Sequence, residues 1–462
     1  MIEIKSIQAQ VKSRFSHKFD IELWAIATIY FVQGAMGLSH LSVSFFLKDQ
    51  LKLSPAEVAS LIGIAMVPWT IKPLYGMISD AFPIFGYRRR PYLVLSSLLG
   101  VMAWACMATI VNSAGLAMVM IAIASMAIAC FDAIIDALVV QRARLESEGD
   151  AGSLQAFSWA AMSVGGITSA YFSGFLLEHW GAKFVFAITA GLPLLVTLAA
   201  FAIADPPINQ SESVFETTKQ QFKQLVTACT SKQIWLPMLF IFLWQATPSA
   251  DSAFFFFTTN ELKFNPEFLG TVRFFTSLAG LGGIWIFQRF LKDIPMRRIF
   301  LWTTLIATGL GMTSLVLISH VNRSWGIDDR WFSLGDSLIL TVAGRIAYMP
   351  VLILAARLCP EGIEATLFAL LMSVMNLASL CSSQLGAGLT YLLGVTDVNF
   401  KNLGLLVTIA NLSNLLPLPL LGWLPNEKVV QVVAQPSIEA TKLEPINPEF
   451  VGSIPEVNLI SK

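Results

Sequence analysis

The chain has 462 residues, 55% of them hydrophobic and only 13% charged, with 30 basic side chains against 30 acidic ones. A soluble domain carries roughly twice that share of charge, so a water-soluble enzyme is excluded and a membrane protein is indicated. Zero net charge and no basic stripe leave nothing to displace the counterions of nucleic acid, which is excluded as a partner.

In chain order, residues 1–20 read as a polar cytoplasmic segment carrying Lys5, Lys12, Arg14 and Lys18, with no cleavable leader pattern. Apolar runs of about 20 residues, enough to cross the hydrocarbon layer, then recur. They predict twelve spans. Six (22–47, 56–79, 92–111, 115–140, 153–177 and 184–204) form an N-terminal bundle over 21–204. A cytoplasmic linker, 205–233, contains "DPPINQSESVFETTKQQFKQLVTACTSKQ". Six more spans (234–258, 267–289, 298–318, 335–356, 363–393 and 403–424) form a C-terminal bundle over 234–425, and the proline-bearing tail 426–462 is predicted to be disordered.

With the N-terminus in the cytoplasm, 20 of the 30 basic residues fall on the inner side, 7 on the outer side and 3 within spans. Both termini are therefore predicted to be cytoplasmic. The two halves carry a weak internal repeat. An offset of 213 residues lays Asp80 on Asp293, Arg88 on Arg298 after a three-residue gap, and "EGDAGSLQ" (148–155) on "EGIEATLF" (361–368). The predicted fold is thus an all-α polytopic protein of twelve helices in two pseudo-symmetric six-helix bundles. That architecture suits an alternating-access transporter with a site near the membrane midplane.

Ionisable residues inside spans are costly, so each is a site candidate. Asp132 and Asp136, in "CFDAIIDAL", are one turn apart and share a helix face. The 213-residue offset sets Arg345 opposite Asp132, so an acid and a base are expected to flank one central volume. Lys72 lies in the inner third of its span, where it can snorkel, pair with Asp136 or bind substrate. Asp251 and Arg273 sit at similar outer depth, suited to an outer-gate ion pair or, for Arg273, to substrate binding. Gln33, Gln245, Asn376 and Gln384 either line the cavity or join helices by hydrogen bonds. His40 reads as an interfacial residue. Cys106, Cys130 and Cys381 lie in apolar runs and Cys229 and Cys359 in connections, giving no disulfide or metal frame. There is no H-E-x-x-H, no phosphate-binding glycine loop and no channel filter repeat, so neither an enzyme nor a channel is indicated, and no cofactor or metal is expected.

The stretch "KPLYGMISDAFPIFGYRRRPY" (72–92) resembles the inner-loop signature of the major facilitator superfamily through Gly76, Asp80, Gly86 and Arg88, Arg89 and Arg90, although three extra residues separate Asp80 from Gly86. The resemblance implies an inner gate in which the aspartate and arginines pair across the mouth, with Gly76 letting helices approach closely. The plainer reading is a loop anchored by arginines to anionic headgroups. "AMVPWTIKPLYGMISD" (65–80), "DALVVQRARLE" (136–146) and "LCPEGIEATLFALLMSVMN" (358–376) resemble the folate–biopterin transporter family of that superfamily, and the likeness spans roughly residues 20–425.

This resemblance implies secondary transport of folates and related pterins, proton-coupled in many members, by a monomer without cofactors. The expected location is the bilayer of a prokaryotic plasma (inner) membrane. A folate has a flat pterin, an aryl linker and a glutamate tail. Asp132 suits the pterin edge, Arg345 and Lys72 the carboxylates, and Trp69, three residues before Lys72, the stacking role. Asp132 or Asp136 is expected to carry the coupled proton, and the resemblance also implies that Asp136, about a turn nearer the cytoplasm, pairs with the inner-loop arginines. Two other readings stand beside this one: a permease for another anionic metabolite, such as a muropeptide or a coenzyme A ester, and a non-transporting pterin receptor.

Overall fold

A computed structural model describes residues 21–143, 153–205, 231–291, 294–357 and 364–425. The segment 1–20, most of the linker 205–233, the tail 426–462, Asp293 and much of the 148–155 and 361–368 repeat lie outside the described residues. So do 144–146 and 358–363 of the family-like stretches.

Every described element is helical apart from one isolated bridge between Ile84 and Tyr87. The N-terminal half comprises α1 (Ile21–Gln50), α2 (Pro55–Ala81), α3 (Arg90–Thr109), α4 (Ala114–Ala143) and α5 (Ser153–Ala202). Gly181, at φ 78°, breaks α5 into two limbs between the predicted spans 153–177 and 184–204. The C-terminal half comprises α6 (Lys232–Gln245), α7 (Asp251–Phe256), α8 (Pro266–Ile286), α9 (Met296–Gly311), α10 (Asp329–Arg357), α11 (Glu364–Leu392) and α12 (Leu403–Ser413). Among the described residues nine helices are long and apolar enough to cross a membrane. Large apolar side chains such as Trp285, Trp302, Leu198 and Phe201 point outward between the two polar faces, as lipid requires.

The main apolar cores sit one in each half, with Phe256 of α7 joining the N-terminal one. In the N-terminal half Phe46, Trp104, Phe131 and Phe186 are buried together; in the C-terminal half Phe240, Phe287 and Phe300 are. Local sequence explains the helix boundaries. Ser54 caps α2 in a capping box with Glu57, whose carboxylate accepts from the Ser54 N–H at 2.8 Å, and Pro55 opens the helix. Pro68 and Pro73 remove backbone donors within α2, which splits into three pieces jointed at Met66 and Ile71.

A shorter repeat than the one expected is visible at one face. "FLKDQLKLSPAE" (46–57) and "FTTNELKFNPEF" (257–268) form the same turn: a π-helical end at Phe46–Gln50 and Phe257–Glu261, then Lys52 and Lys263 both at φ 56°. The offset is 211 residues, and shared backbone geometry identifies the pair more firmly than the sparse matches at 213.

Gly76 does not mediate a close helix approach. A Cβ added there meets nothing within 4 Å. The close crossings are elsewhere: a Cβ on Gly34 would lie 2.0 Å from the Met162 carbonyl oxygen, and one on Gly174 would lie 2.3 Å from that of Pro266. The second crossing packs the first limb of α5 on α8 and joins the two halves.

Candidate functional site

The joint at Ile71 presents Lys72 toward α4, where Asp132 and Asp136 lie one turn apart. Lys72 Nζ pairs with Asp132 and donates to Asp136 Oδ2 at 2.7 Å. Tyr30, buried on α1, donates its hydroxyl to Asp136 Oδ1 at 2.7 Å. Three helices of the N-terminal half thus meet in one network of two carboxylates, one ammonium and one phenol. Lys72 and Asp132 are 14% exposed and Asp136 is 41% exposed, so Asp132 is shielded, while Asp136, which meets Lys72 and Tyr30 and not the inner-loop arginines, reaches open space. The network has one more acid than base. Releasing Lys72 from it requires a proton on a carboxylate or a substrate anion to replace one.

The sequence-derived candidates fall into distinct places. Arg345 does not face Asp132 in an ion pair; its side chain lies along α8, and Cβ atoms added to Gly280 and Gly283 would sit 3.3 Å and 2.9 Å from it. Gln245 donates to Ser379 Oγ at 2.6 Å, and Asn376 donates to the Trp69 carbonyl at 3.1 Å, tying α11 to the joint in α2. Gln384 exchanges two 2.9 Å hydrogen bonds with Ser60. Gln33, one helical turn beyond Tyr30, keeps both amide atoms buried with no partner among the described residues, a state that costs about 1–3 kcal/mol per group until something satisfies it.

The arginine loop is resolved in detail. The residues that set it apart from the superfamily signature form a tight hairpin: Ile84 and Tyr87 exchange two 3.0 Å backbone hydrogen bonds around Phe85 and Gly86, both at positive φ. Arg89 lies 3.0 Å from Asp80, and Arg90 donates to the Ile203 carbonyl at 2.8 Å. The backbone N–H groups of Arg89 and Arg90 both donate to Asp205 Oδ2, at 2.8 and 2.9 Å, which satisfies the open N-terminus of α3. The described pairs thus join α2, α3 and α5 of one half. They do not cross the mouth, because Asp80 finds its partner on the adjoining helix. Arg88 keeps its Nε buried without a partner among the described residues.

The opposite face carries further contacts between the halves. Asp251 and Arg273 do not pair: Asp251 lines a cavity of about 270 Å³ between the halves and another of about 520 Å³ inside the C-terminal half, whereas an Arg273 amino group lies 3.5 Å from His40 Nδ1. A second polar link between the halves at this face is Lys48, 9% exposed, which donates to Asn260 Oδ1 at 2.8 Å while paired with Asp49 at 2.7 Å. Asn260 in turn donates to the Asp397 carbonyl at 2.8 Å, and Phe45 meets Phe255 edge-on beside it. Sequence reasoning missed Lys48, Asn260 and Tyr30. The repeated turn at offset 211 marks the first two; Tyr30 had no signal beyond a phenol in an apolar span. It also passed over Asp336, which accepts from the Thr313 and Ser314 hydroxyls in the larger cavity.

Comparison with known proteins gives this geometry a family. The chain resembles the "Folate-biopterin transporter" of Synechocystis sp., 57% identical over 404 residues covering 87% of this chain and 82% of the relative. It also resembles "Folate transporter 2" of Plasmodium falciparum, 30% identical over 406 residues covering 87% and 88%. Among solved structures, the nucleoside transporter NupG superimposes with a TM-score of 0.66 at 14% identity (87% of this chain, 98% of that one), and a D-xylose-proton symporter with 0.64 at 14% (88% and 99%). At such identity the likeness concerns the fold, which is that of the major facilitator transporters. The BT1 family model matches residues 33–443, and the chain therefore belongs to the BT1 family of transporters.

Proposed function

We propose that this protein is a secondary transporter that moves folates and related pterins by alternating access. The observation that carries the reading is the 57% identity, over most of both chains, to a protein named as a folate–biopterin transporter. The geometry supports it. The Lys48–Asn260 hydrogen bond and the Gly174–Gly270 crossing join the halves at the face that the distribution of basic residues puts outside. The described form thus suits a transporter closed on its outer side. Twelve spans, cytoplasmic termini, a monomeric state and a prokaryotic plasma membrane complete the proposal.

In this reading Lys72 is the switch. A proton taken up by Asp132 or Asp136 frees the ammonium to meet a substrate carboxylate, and loss of that proton re-forms the network and releases the substrate. Gln33, next to Tyr30, offers a donor and an acceptor to the pterin edge, with Trp69 as the stacking ring. Arg345 receives the glutamate tail from the C-terminal half, and Gln245, Asn376 and Arg273 border the path. Asp80 with Arg88, Arg89 and Arg90 steadies the inner end of the N-terminal half, while Lys48 and Asn260 take the outer-gate role first expected of Asp251 and Arg273.

The test is uptake of radiolabelled folic acid and of a pterin without the glutamate tail, by cells expressing the chain or its Arg345→Ala variant. Folate uptake that the substitution abolishes, with the tail-less pterin less affected, is expected. Absence of uptake of both compounds by protein shown to be in the membrane overturns the substrate assignment and favours another anionic metabolite.

A further inference from the structure

An apolar cleft of about 440 Å³ runs between α9 and α10, and no residue of the charged network lines it. Trp302, Ile306 and Leu310 form one wall at helical spacing, and Ile339, Val342 and Ile346 form the other. Trp302, Ile306 and Ile339 are each more than half exposed, and at this depth exposure means contact with lipid. The cleft is therefore open sideways to the bilayer.

Its lining holds one charged residue, Arg298, in the first turn of α9. The two adjacent arginines there have different tasks. Arg297 is used internally, donating to the Leu424 carbonyl at 2.6 Å and to the Gly422 carbonyl at 2.9 Å, which anchors the end of the last helical segment. Arg298 is exposed, and its guanidinium has no partner among the described residues. It stands at the end of the cleft nearest the face that also bears Arg88, Arg89 and Arg90. That is the face richer in basic residues and hence the cytoplasmic one, where anionic lipids concentrate.

Length agrees with this placement. From Arg298 to Leu310 the helix rises about 18 Å at ~1.5 Å per residue. One leaflet spans about 15 Å, half of a hydrocarbon core of ~30 Å. We propose that the cleft between α9 and α10 holds one acyl chain of an anionic phospholipid from the cytoplasmic leaflet, with the Arg298 guanidinium paired to the headgroup phosphate. The apolar walls hold the chain and the arginine selects the headgroup charge. The site lies outside the transport path and does not depend on the identity of the substrate.

Native mass spectrometry of the full chain, purified from bilayers containing equal phosphatidylglycerol and phosphatidylcholine, tests it. The wild type is expected to retain phosphatidylglycerol over phosphatidylcholine by roughly fivefold, the ratio that about 1 kcal/mol per basic residue gives. Arg298→Gln is expected to retain both equally, and Arg298→Lys to keep the preference. Ala343→Phe, which fills the cleft while leaving the arginine, is expected to lower retention of both lipids; all three variants are first checked for monodisperse elution. Equal retention by the wild type, or an unchanged preference in Arg298→Gln, overturns the headgroup assignment. Unchanged retention in Ala343→Phe overturns the chain assignment. A concentration-dependent dimer that Ala343→Phe abolishes puts a second copy of the protein in the cleft and overturns the proposal as a whole.

Discussion

Replacing Lys72 by methionine removes the only cation in the described network of Tyr30, Asp132 and Asp136 and keeps most of the apolar volume. The consequence differs for the two acids. Asp132 is 14% exposed, and stripping the partner from a shielded ion pair costs about 3–5 kcal/mol, because a charge is left without compensation. Asp136 is 41% exposed and keeps its hydrogen bond from Tyr30, so solvent screening holds its share to about 1 kcal/mol or less. Neutralisation of Asp132 by a proton limits the first cost, which leaves a net loss of about 3 kcal/mol. At ~2–4 °C per kcal/mol for a unit of this size, the N-terminal half should unfold roughly 6–12 °C lower.

A double-mutant cycle supplies the control. In Lys72→Met combined with Asp132→Asn no orphaned charge remains, so most of the lost stability should return, with a coupling of about 2 kcal/mol. The assay is thermal unfolding of purified protein in detergent at neutral pH, followed by intrinsic tryptophan fluorescence. Additive shifts in the double variant, or a Lys72→Met protein as stable as the wild type, would refute the argument that these three residues act as one electrostatic unit.

Asn260→Ala removes the polar link between Lys48 and the C-terminal half but leaves Lys48 its partner Asp49. Loss of one charge-assisted hydrogen bond, worth about 1.5–3 kcal/mol, should raise labelling of a cysteine at Ser44 by an impermeant thiol reagent roughly 10- to 150-fold, in a background with the native cysteines replaced; unchanged labelling would count against an outer gate there. Gly174→Val should destabilise by about 1–3 kcal/mol and stop transport, because the new side chain meets the backbone of α8, whereas Gly76→Ala should stay within about 0.5 kcal/mol of wild type. Thermal unfolding and uptake of both variants check the contrast. Outside the membrane, the hydrogen bond from Arg323 holds the Asp329 carboxyl below its ordinary range. The folded-state value is depressed, so this contribution is complete above the unfolded value of about 4 and is lost as pH falls through the folded one. Amide protection of Trp325 and Ile327, both of which donate to the Asn322 carbonyl, should therefore hold from pH 8 to 5, after correction for intrinsic exchange, and drop only below about pH 4.

Composition and span-length apolar runs by themselves determined that this is a helical membrane protein. Lipid offers no partner for backbone groups, and only helices of that length satisfy them within one segment. The stretches around Lys72, Asp136 and Asn376 were enough to point to the family, and the one-turn spacing of Asp132 and Asp136 forecast their shared face, because helical period is a local property. Lys72 was legible as a partner of Asp136, being an intramembrane cation at matching depth.

The pairing of everything else depended on tertiary structure. Arg345 lies along Gly280 and Gly283, and Asp80 meets Arg89 within its own half, because partner choice between helices follows their rotation and crossing points, which loop lengths do not encode. Gly76 looks like Gly174 in sequence, yet only Gly174 sits where another backbone crosses at contact distance. Tyr30 and Asn260 became functional candidates only when helices distant in sequence brought them to Asp136 and Lys48. Local periodicity thus sets which residues share a helix face, and packing decides which faces meet.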